Sequence, residues 1–193
     1  MPQRSKIQFN APVVLSFAGL SLIALVLGYI TGGASNRALF SVYRSSFLNP
    51  LTYVRLVTHV LGHSGYEHYI GNMLMLLVIG PPMEEKYGSR ALLRAILITA
   101  AVSGVVQMVF FPRSALLGAS GIVFMLIVMS SLSGMQEGSV PLTLILVVIF
   151  YLGGEVVDGL FQRDNISHLS HILGGLSGAV IGYGLERRKK TRF

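Results

Sequence analysis

Residues 114–135 read SALLGASGIVFMLIVMSSLSGM, an uncharged stretch that passes through two glycines and then continues as apolar sequence. Because the glycines at 118 and 121 disfavour a helix through the turn, the sequence predicts that a helix begins near Ser120. About 14 residues then remain, and at about 1.5 Å each they span about 21 Å. The hydrocarbon core of a bilayer is about 30 Å thick, so we expect this helix to start below the membrane surface.

The composition of the whole chain is that of a membrane protein. Of the 193 residues, 52% are hydrophobic and only 12% are charged, whereas soluble domains carry about 25% charged residues. Such a chain has too little polar surface to coat a water-soluble globule. The absence of cysteine excludes disulfides, thiolate metal sites and a cysteine nucleophile.

Gaps between charged residues predict further spans on both sides of this stretch. The first predicted span, residues 11–30, could also be a signal peptide headed by Arg4 and Lys6, but its apolar run is longer than the about 7–15 residues of such signals. Residues 36–58 are predicted to form a long loop of mixed character that could fold onto the membrane surface. The six predicted spans are residues 11–30, 68–83, 91–111, 114–135, 140–159 and 167–185.

The basic residues favour an orientation with both termini in the cytoplasm. The inner segments then hold ten Lys and Arg against five in the outer segments, as the positive-inside rule requires. We expect one transmembrane domain over residues 1–193, with a core of about 11–185 and a short basic cytoplasmic tail at 186–193. The tail accounts for much of the net charge of +7 and could touch anionic lipid, so we expect no nucleic-acid partner.

Ser120 is the first candidate for chemistry, since polar residues inside membrane spans are costly and often functional. A serine in the first turn of a helix lies beside unpaired backbone N–H groups and the positive end of the helix dipole. Both would stabilise an oxyanion formed there, and the flanking glycines would let a substrate backbone approach. The alternative is a packing contact between helices, which small residues also favour.

His171 is the second candidate, and it shares one helix face with Gly174, Gly178 and Gly182. A glycine stripe lets another helix approach closely, and the small residues around Ser120 could receive it. A serine and a histidine brought together in this way would form a nucleophile and its general base. The alternative is a histidine that only forms a hydrogen bond between helices.

Two pairs of polar residues at four-residue spacing form the third group. His68 and Asn72 face the same way on a helix, and both can donate hydrogen bonds to a developing negative oxygen. His59 and His63 have the spacing of a zinc-binding helix, but Val60 stands where the zinc-protease signature has glutamate. The sequence therefore favours oxyanion donors and disfavours a metal site.

Taken in order, these motifs resemble the rhomboid family of intramembrane serine proteases from about Arg55 to Tyr183. The resemblance implies an all-α membrane protein with a six-transmembrane-helix bundle and no cofactor or metal. The motifs that carry it are His59, His63, His68 and Asn72, Glu85-Lys86 before Gly88-Ser89, the Gly-Ala-Ser-Gly turn at 118–121, and His171 with Gly174 and Gly178.

The resemblance also implies a role for each candidate residue. Ser120 would attack the scissile carbonyl, and His171 would take its proton as the second member of a dyad that needs no acid. The side chains of His68 and Asn72 would form the oxyanion site together with the Ser120 backbone N–H. The residues at 118 and 119 would line the approach of the substrate strand; they are Gly118 and Ala119.

Two positions depart from the family pattern. Phe124 stands where the family often has a tyrosine that stacks on the histidine, so we expect the stacking to survive without the hydroxyl. Val54 stands where a tryptophan usually precedes the loop arginine, so the first loop could pack differently. Neither change removes a proposed catalytic group.

We expect an endopeptidase that cuts transmembrane segments of single-pass membrane proteins inside the bilayer, with a monomer sufficient for activity. The expected location is a prokaryotic plasma membrane. Two alternatives stay open: a non-catalytic rhomboid-like protein that binds membrane helices, and a small transporter or channel with polar residues along its path. Glu155 and Asp158 could lie at the aqueous interface or help to gate substrate entry.

Overall fold

The computed structural model of the chain describes residues 9–133, 139–152 and 165–190. Within these ranges every regular element is helical, and an isolated antiparallel bridge joins Val42 to Leu116. The all-α class predicted from the sequence is therefore confirmed. The helices are α1 (Pro12–Ile30), α2 (Ala34–Leu39), α3 (Pro50–Thr58) with a 3₁₀ turn (His59–Leu61), α4 (Tyr66–Tyr87), α5 (Ser89–Phe110), α6 (Ser120–Leu132), α7 (Leu142–Val147) with a π turn (Val148–Leu152), and α8 (Asn165–Lys190).

Helix α6 lies at the centre of the described bundle. Nine of its 13 residues are buried, and it packs against α4, α5, α7 and α8. It begins at Ser120, as the sequence predicts. At about 1.5 Å per residue it spans only about 20 Å, so the proposed nucleophile stands on a short helix that its neighbours enclose.

A row of glycines on α8 brings this helix directly against α6. A Cβ atom at Gly174 would overlap the carbonyl oxygen of Gly121, and a Cβ atom at Gly178 would overlap that of Met125. The two backbones are therefore in contact. We call this contact, of Gly174 and Gly178 with α6, the glycine seam; it confirms that the glycine stripe seen in the sequence faces the Ser120 segment.

Polar contacts join α4, α6 and α8 at the end of α6 that is farthest from Ser120. Lys86 Nζ lies 2.6 Å from Glu186 Oε1 and donates to the carbonyl oxygen of Ser133. The Tyr87 hydroxyl donates to the same Glu186 oxygen at 2.6 Å. The three helices therefore share one charged end, opposite the end that carries Ser120.

A buried carboxylate on α4 holds the start of α1. The two carboxylate oxygens of Glu84 accept the backbone N–H groups of Val13 and Val14 at 2.9 and 3.0 Å. These N–H groups have no partner within the helix, and a negative charge is favoured beside a helix N-terminus. Helix α1 is therefore anchored to α4 at the charged end of the bundle.

Two boundaries differ from the sequence prediction. Residues 36–58, predicted as a loop, contain α3, which Asn49 starts by accepting the N–H of Leu51 at 3.0 Å. Helix α8 continues through the described part of the region predicted as a tail, as far as residue 190. The physical reason is that Glu186 is buried against the Lys86 ammonium group, which holds this end of the helix in the bundle.

The outward faces of the long helices are apolar, as lipid contact requires. Their exposed side chains include Leu20, Ile23 and Ile30 of α1 and Ile98 and Val105 of α5. By length and composition, α1 and α5 could each cross a membrane, and α6 is a shorter apolar helix. The total of six spans stays a prediction.

Candidate active site

Ser120 is the first residue of α6 and is half-buried. Gly118, two residues earlier, has a φ of 132°, a conformation that favours glycine, and it turns the chain into the helix. The N-cap residue Ala119 makes no side-chain hydrogen bond to the first turn. The dipole and the uncapped N–H groups of that turn therefore lie next to the Ser120 hydroxyl.

The segment that leads into α6 is held by backbone hydrogen bonds from two sides. Val42 and Leu116 exchange N–H donors and carbonyl acceptors, both at 2.9 Å, and the N–H of Gly118 donates to the His59 carbonyl at 3.0 Å. The first contact comes from the chain after α2, and the second from the 3₁₀ turn before α4. The backbone that carries Ser120 is therefore positioned by parts of the chain distant in sequence.

The imidazole of His68 lies against Gly118. A Cβ atom at Gly118 would lie 2.9 Å from both Cε1 and Nε2 of His68 and 4.0 Å from Ser120 Oγ. The Nε2 edge of His68 and the Ser120 hydroxyl therefore border the same small space. A side chain at Gly118 would fill that space, so glycine is required there for its volume as well as for its φ.

His171 on α8 stacks on Phe124 on α6. The ring centroids are 4.3 Å apart and the ring planes differ by 4°. Phe124 lies one turn after Ser120, and Gly174, one turn after His171, contacts Gly121 at the glycine seam. The stack expected from the sequence is present, and it brings the imidazole to the end of α6 that carries the serine.

The other described site residues, Asn72 and Ala119, are more deeply buried than Ser120. Asn72 is buried, and its Nδ2 donates to the His68 carbonyl at 2.9 Å, which leaves one amide hydrogen for another acceptor. Ala119 is fully buried and packs in the hydrophobic core, so only its backbone could face a substrate strand. Glu155 and Asp158 lie outside the described residues.

His59 and His63 brace the segment between α3 and α4, outside the predicted spans. His59 Nδ1 donates to the Arg55 carbonyl at 3.1 Å, and its Nε2 lies 3.3 Å from Ser103 Oγ. His63 Nδ1 donates to the Leu61 carbonyl at 3.1 Å. Burial lowers the pKa of each imidazole to about 4, so both are neutral at physiological pH and serve as hydrogen-bonding parts of the scaffold.

Sequence reasoning misses two serines that contact this group of histidines. Ser64 Oγ lies 3.1 Å from His68 Nδ1, but Ser64 precedes α4, so helical periodicity could not indicate the contact. Ser103 lies near His59 and is buried inside α5. The signal for Ser103 was its polar side chain within a predicted span, a position that is costly unless it has a partner.

Comparison with known proteins agrees with the fold. The Rhomboid domain family matches residues 50–188, which contain every candidate site residue. The chain is 28% identical over 156 residues to Rhomboid-related protein 2 of Mus musculus, covering 70% of this chain and 51% of that protein. It is also 28% identical over 173 residues to Rhomboid protease GluP of Bacillus subtilis, covering 85% of this chain and 33% of that protein.

The family match and the structure agree on the kind of protein. The chain spans about half the length of the first relative and a third of the second, so the likeness covers only part of either protein. The match covers most of the residues between α3 and the end of α8, and the apolar outward faces suit a membrane protein. The chain therefore belongs to the rhomboid family.

Proposed function

We propose that the chain is an intramembrane serine endopeptidase that hydrolyses peptide bonds in or near the transmembrane helices of other proteins. Ser120 is the proposed nucleophile and His171 the proposed general base. The observation that carries the proposal is the stack of His171 on Phe124, one turn along α6 from Ser120. The name of one relative, a rhomboid protease of Bacillus subtilis, supports the same activity.

In the proposed reaction, the Ser120 hydroxyl attacks the scissile carbonyl carbon while His171 accepts its proton. The tetrahedral intermediate collapses when His171 passes this proton to the leaving amine, and an acyl-enzyme remains. Water then attacks the ester, with His171 acting again as base and then as acid. These steps use the chain's own residues and call for no cofactor.

The negative oxygen of the intermediate would lie beside Gly118. The Nε2 edge of His68 borders that space, as does the first turn of α6 with the Ser120 N–H. The remaining amide hydrogen of Asn72 is a further candidate donor. Donors fixed before the reaction stabilise the transition state because they need no reorganisation when the charge develops.

We further propose a multi-pass protein of a prokaryotic plasma membrane, with both termini in the cytoplasm. The support is the six predicted spans and the excess of Lys and Arg on one side. The Ser120 end of the bundle then faces outward, and the Lys86 end faces the cytoplasm. The proposed substrates are single-pass membrane proteins that reach the site from the bilayer, and a monomer suffices because all proposed catalytic groups come from one chain.

A fluorophosphonate probe tests the nucleophile and the base together. The purified wild type should be labelled at Ser120, and Ser120→Ala should not be labelled. His171→Ala should label at least about 100-fold more slowly, since a positioned base contributes about 10²–10⁴-fold. The matched control is Ser131→Ala, because the Ser131 hydroxyl donates to the Ile127 carbonyl at 3.0 Å near the other end of α6; this variant should label like the wild type. Equal labelling of Ser120→Ala and the wild type would defeat the proposal.

The alternative function is non-catalytic binding of membrane helices. It is kept because one relative, Rhomboid-related protein 2 of Mus musculus, carries a name that states no protease activity. A panel of labelled transmembrane peptides separates the two functions. Peptides that bind equally well to the wild type and to Ser120→Ala, and that neither protein cuts, would favour binding alone.

A further inference from the structure

The two nitrogens of the His68 ring face different neighbours. Ser64, in the turn before α4, has its Oγ 3.1 Å and its backbone nitrogen 3.5 Å from His68 Nδ1. The opposite edge of the ring, formed by Cε1 and Nε2, faces Gly118. One nitrogen is therefore engaged by Ser64, while the other borders the space in which the oxyanion of the proposed reaction would form.

This arrangement selects one tautomer of His68. A backbone N–H can only donate, so both Ser64 groups can bond to His68 Nδ1 together only when this nitrogen is the acceptor. In a neutral imidazole the other nitrogen then carries the hydrogen, and Nε2–H points toward Gly118. The opposite tautomer would set Nδ1–H against the Ser64 N–H and would turn an Nε2 lone pair toward the negative oxygen.

We propose that Ser64 is a positioning residue that holds His68 in the Nε2–H tautomer, the form that can donate to the oxyanion. The inference rests on the proposed function of Ser120. Other neighbours hold the ring without choosing its tautomer: His63 packs edge-on at 5.0 Å between centroids, and Asn72 donates to the His68 carbonyl rather than to the ring. Among the described contacts of the His68 nitrogens, those of Ser64 make this choice.

The contact can be removed without disturbing the bundle. Ser64 is exposed, and substitutions at exposed positions usually change stability little. Ser64→Ala deletes the hydroxyl, which is the closer group at 3.1 Å from Nδ1. The backbone N–H stays, but at 3.5 Å it lies at the distance limit of a hydrogen bond and by itself holds the tautomer only weakly. Ser64→Thr keeps the hydroxyl and is the conservative rescue.

The direct test is nitrogen NMR of the full-length protein in detergent, labelled with ¹⁵N-histidine. The chain has five histidines, and the His68 signals are identified by their loss in His68→Gln. At a pH where His68 is neutral, the wild type should show an unprotonated Nδ1 and a protonated Nε2. Ser64→Ala should show averaged shifts of two tautomers, and Ser64→Thr should return to the wild-type pattern. A protonated Nδ1 in the wild type, or an unchanged tautomer in Ser64→Ala, would overturn the proposal.

Kinetics supply the second readout. Ser64→Ala should lower kcat on a transmembrane substrate about 3- to 10-fold, the range of one neutral hydrogen bond. KM should not change, because the oxyanion contact forms only in the transition state. Ser46→Ala is the matched control: Ser46 is also exposed, and its hydroxyl accepts the Leu48 N–H at 3.2 Å, away from the histidines. A raised KM with an unchanged kcat would contradict the positioning role.

The two readouts separate this inference from the proposed function. The tautomer could depend on Ser64 in a protein that neither labels at Ser120 nor cuts peptides. That result would overturn the peptidase proposal, and with it the catalytic role of the contact between Ser64 and His68. Full peptidase activity with a tautomer that is independent of Ser64 would overturn only the role of Ser64. The NMR measurement needs no turnover, so it can be made in either case.

Discussion

At the scale of single residues, two positions show which atoms the site needs, the small Gly118 and the aromatic Phe124. Gly118 has no Cβ, and any Cβ there would collide with the His68 ring. Phe124 has no hydroxyl, yet its ring still lies flat on His171. The stack is therefore a matter of shape and π-contact, and it orients the imidazole without a hydrogen bond from residue 124.

Phe124→Ala should lower kcat about 3- to 10-fold, because an aromatic pair contributes about 0.5–1.5 kcal/mol beyond its buried area and the unsupported imidazole would spend less time in position. Phe124→Tyr keeps the ring and should stay near the wild-type rate. Phe124→Leu keeps an apolar side chain without the stack and should resemble Phe124→Ala. The measurement is kcat on a labelled transmembrane peptide, with the thermal midpoint recorded for each variant. A fully active Phe124→Ala would show that the stack does not position the base.

Residue-level prediction from the sequence succeeds for the start of α6 at Ser120 and for the stack of Phe124 on His171, and both are confirmed. The helix start follows from the glycines at 118 and 121, and the stack follows from the resemblance to the rhomboid family. Ser64 could not be found in this way, because its contact with His68 depends on the path of a non-helical turn. The catalytic roles of these residues stay predictions until the probe experiment is made.

At the scale of elements, the glycine seam is the decisive contact. It joins α6, which carries the proposed nucleophile, to α8, which carries the proposed base, with backbone against backbone. Such close approach leaves no room for even one added methyl group at Gly174 or Gly178. The relative position of the two helices is therefore set by backbone atoms, which cannot change rotamer to absorb strain.

Gly178→Ala should destabilise the protein by about 1–3 kcal/mol, the usual cost of forcing extra atoms into a packed interior. Its Cβ would meet the backbone of Met125, which cannot move aside. Gly184→Ala is the matched control on the same helix, because nothing lies within 4 Å of a Cβ there, and it should be neutral or slightly stabilising through helix propensity. Thermal unfolding in detergent makes the comparison; equal midpoints for the two variants would contradict the seam.

The elements that sequence reasoning misplaced owe their form to distant partners. Helix α3 is too short for its periodicity to stand out, and its start depends on the Asn49 cap. The continuation of α8 depends on burial of Glu186 against Lys86, which belongs to α4. A pattern of hydrophobic residues predicts the membrane spans, but it does not predict a helix cap or an ion pair between helices. The ends of the helices are therefore less predictable than the presence of the helices.

At the scale of the whole molecule, the described chain has two unlike ends. One end gathers His68, Ser120 and His171, and the other gathers the ion pair of Lys86 with Glu186 and the Glu84 cap on α1. Between them the outward surface is apolar. The polar groups of the described chain thus lie at the two ends of the bundle, with apolar surface between them, as expected of a protein that presents one end to each side of a bilayer.

Cysteine scanning can determine which end faces the cytoplasm, since the natural chain contains no cysteine. Ser46→Cys, between α2 and α3, should react with a membrane-impermeant maleimide added to intact cells. Arg90→Cys, exposed next to the turn between α4 and α5, should react only after the cells are permeabilised. The native chain is the unlabelled control. The reverse pattern would invert the proposed orientation, and labelling of both positions in intact cells would mean that the stretch between them does not cross the membrane.

The glycine seam also has a consequence for biosynthesis. Helix α8 follows α6 in the chain, so a nascent polypeptide that has inserted α6 holds the proposed nucleophile before the proposed base has been translated. Docking of the later helix along the seam would complete the dyad in a single late step. Under the proposed function, the nascent chain would therefore stay inactive toward neighbouring proteins at the site of membrane insertion until helix α8 had docked.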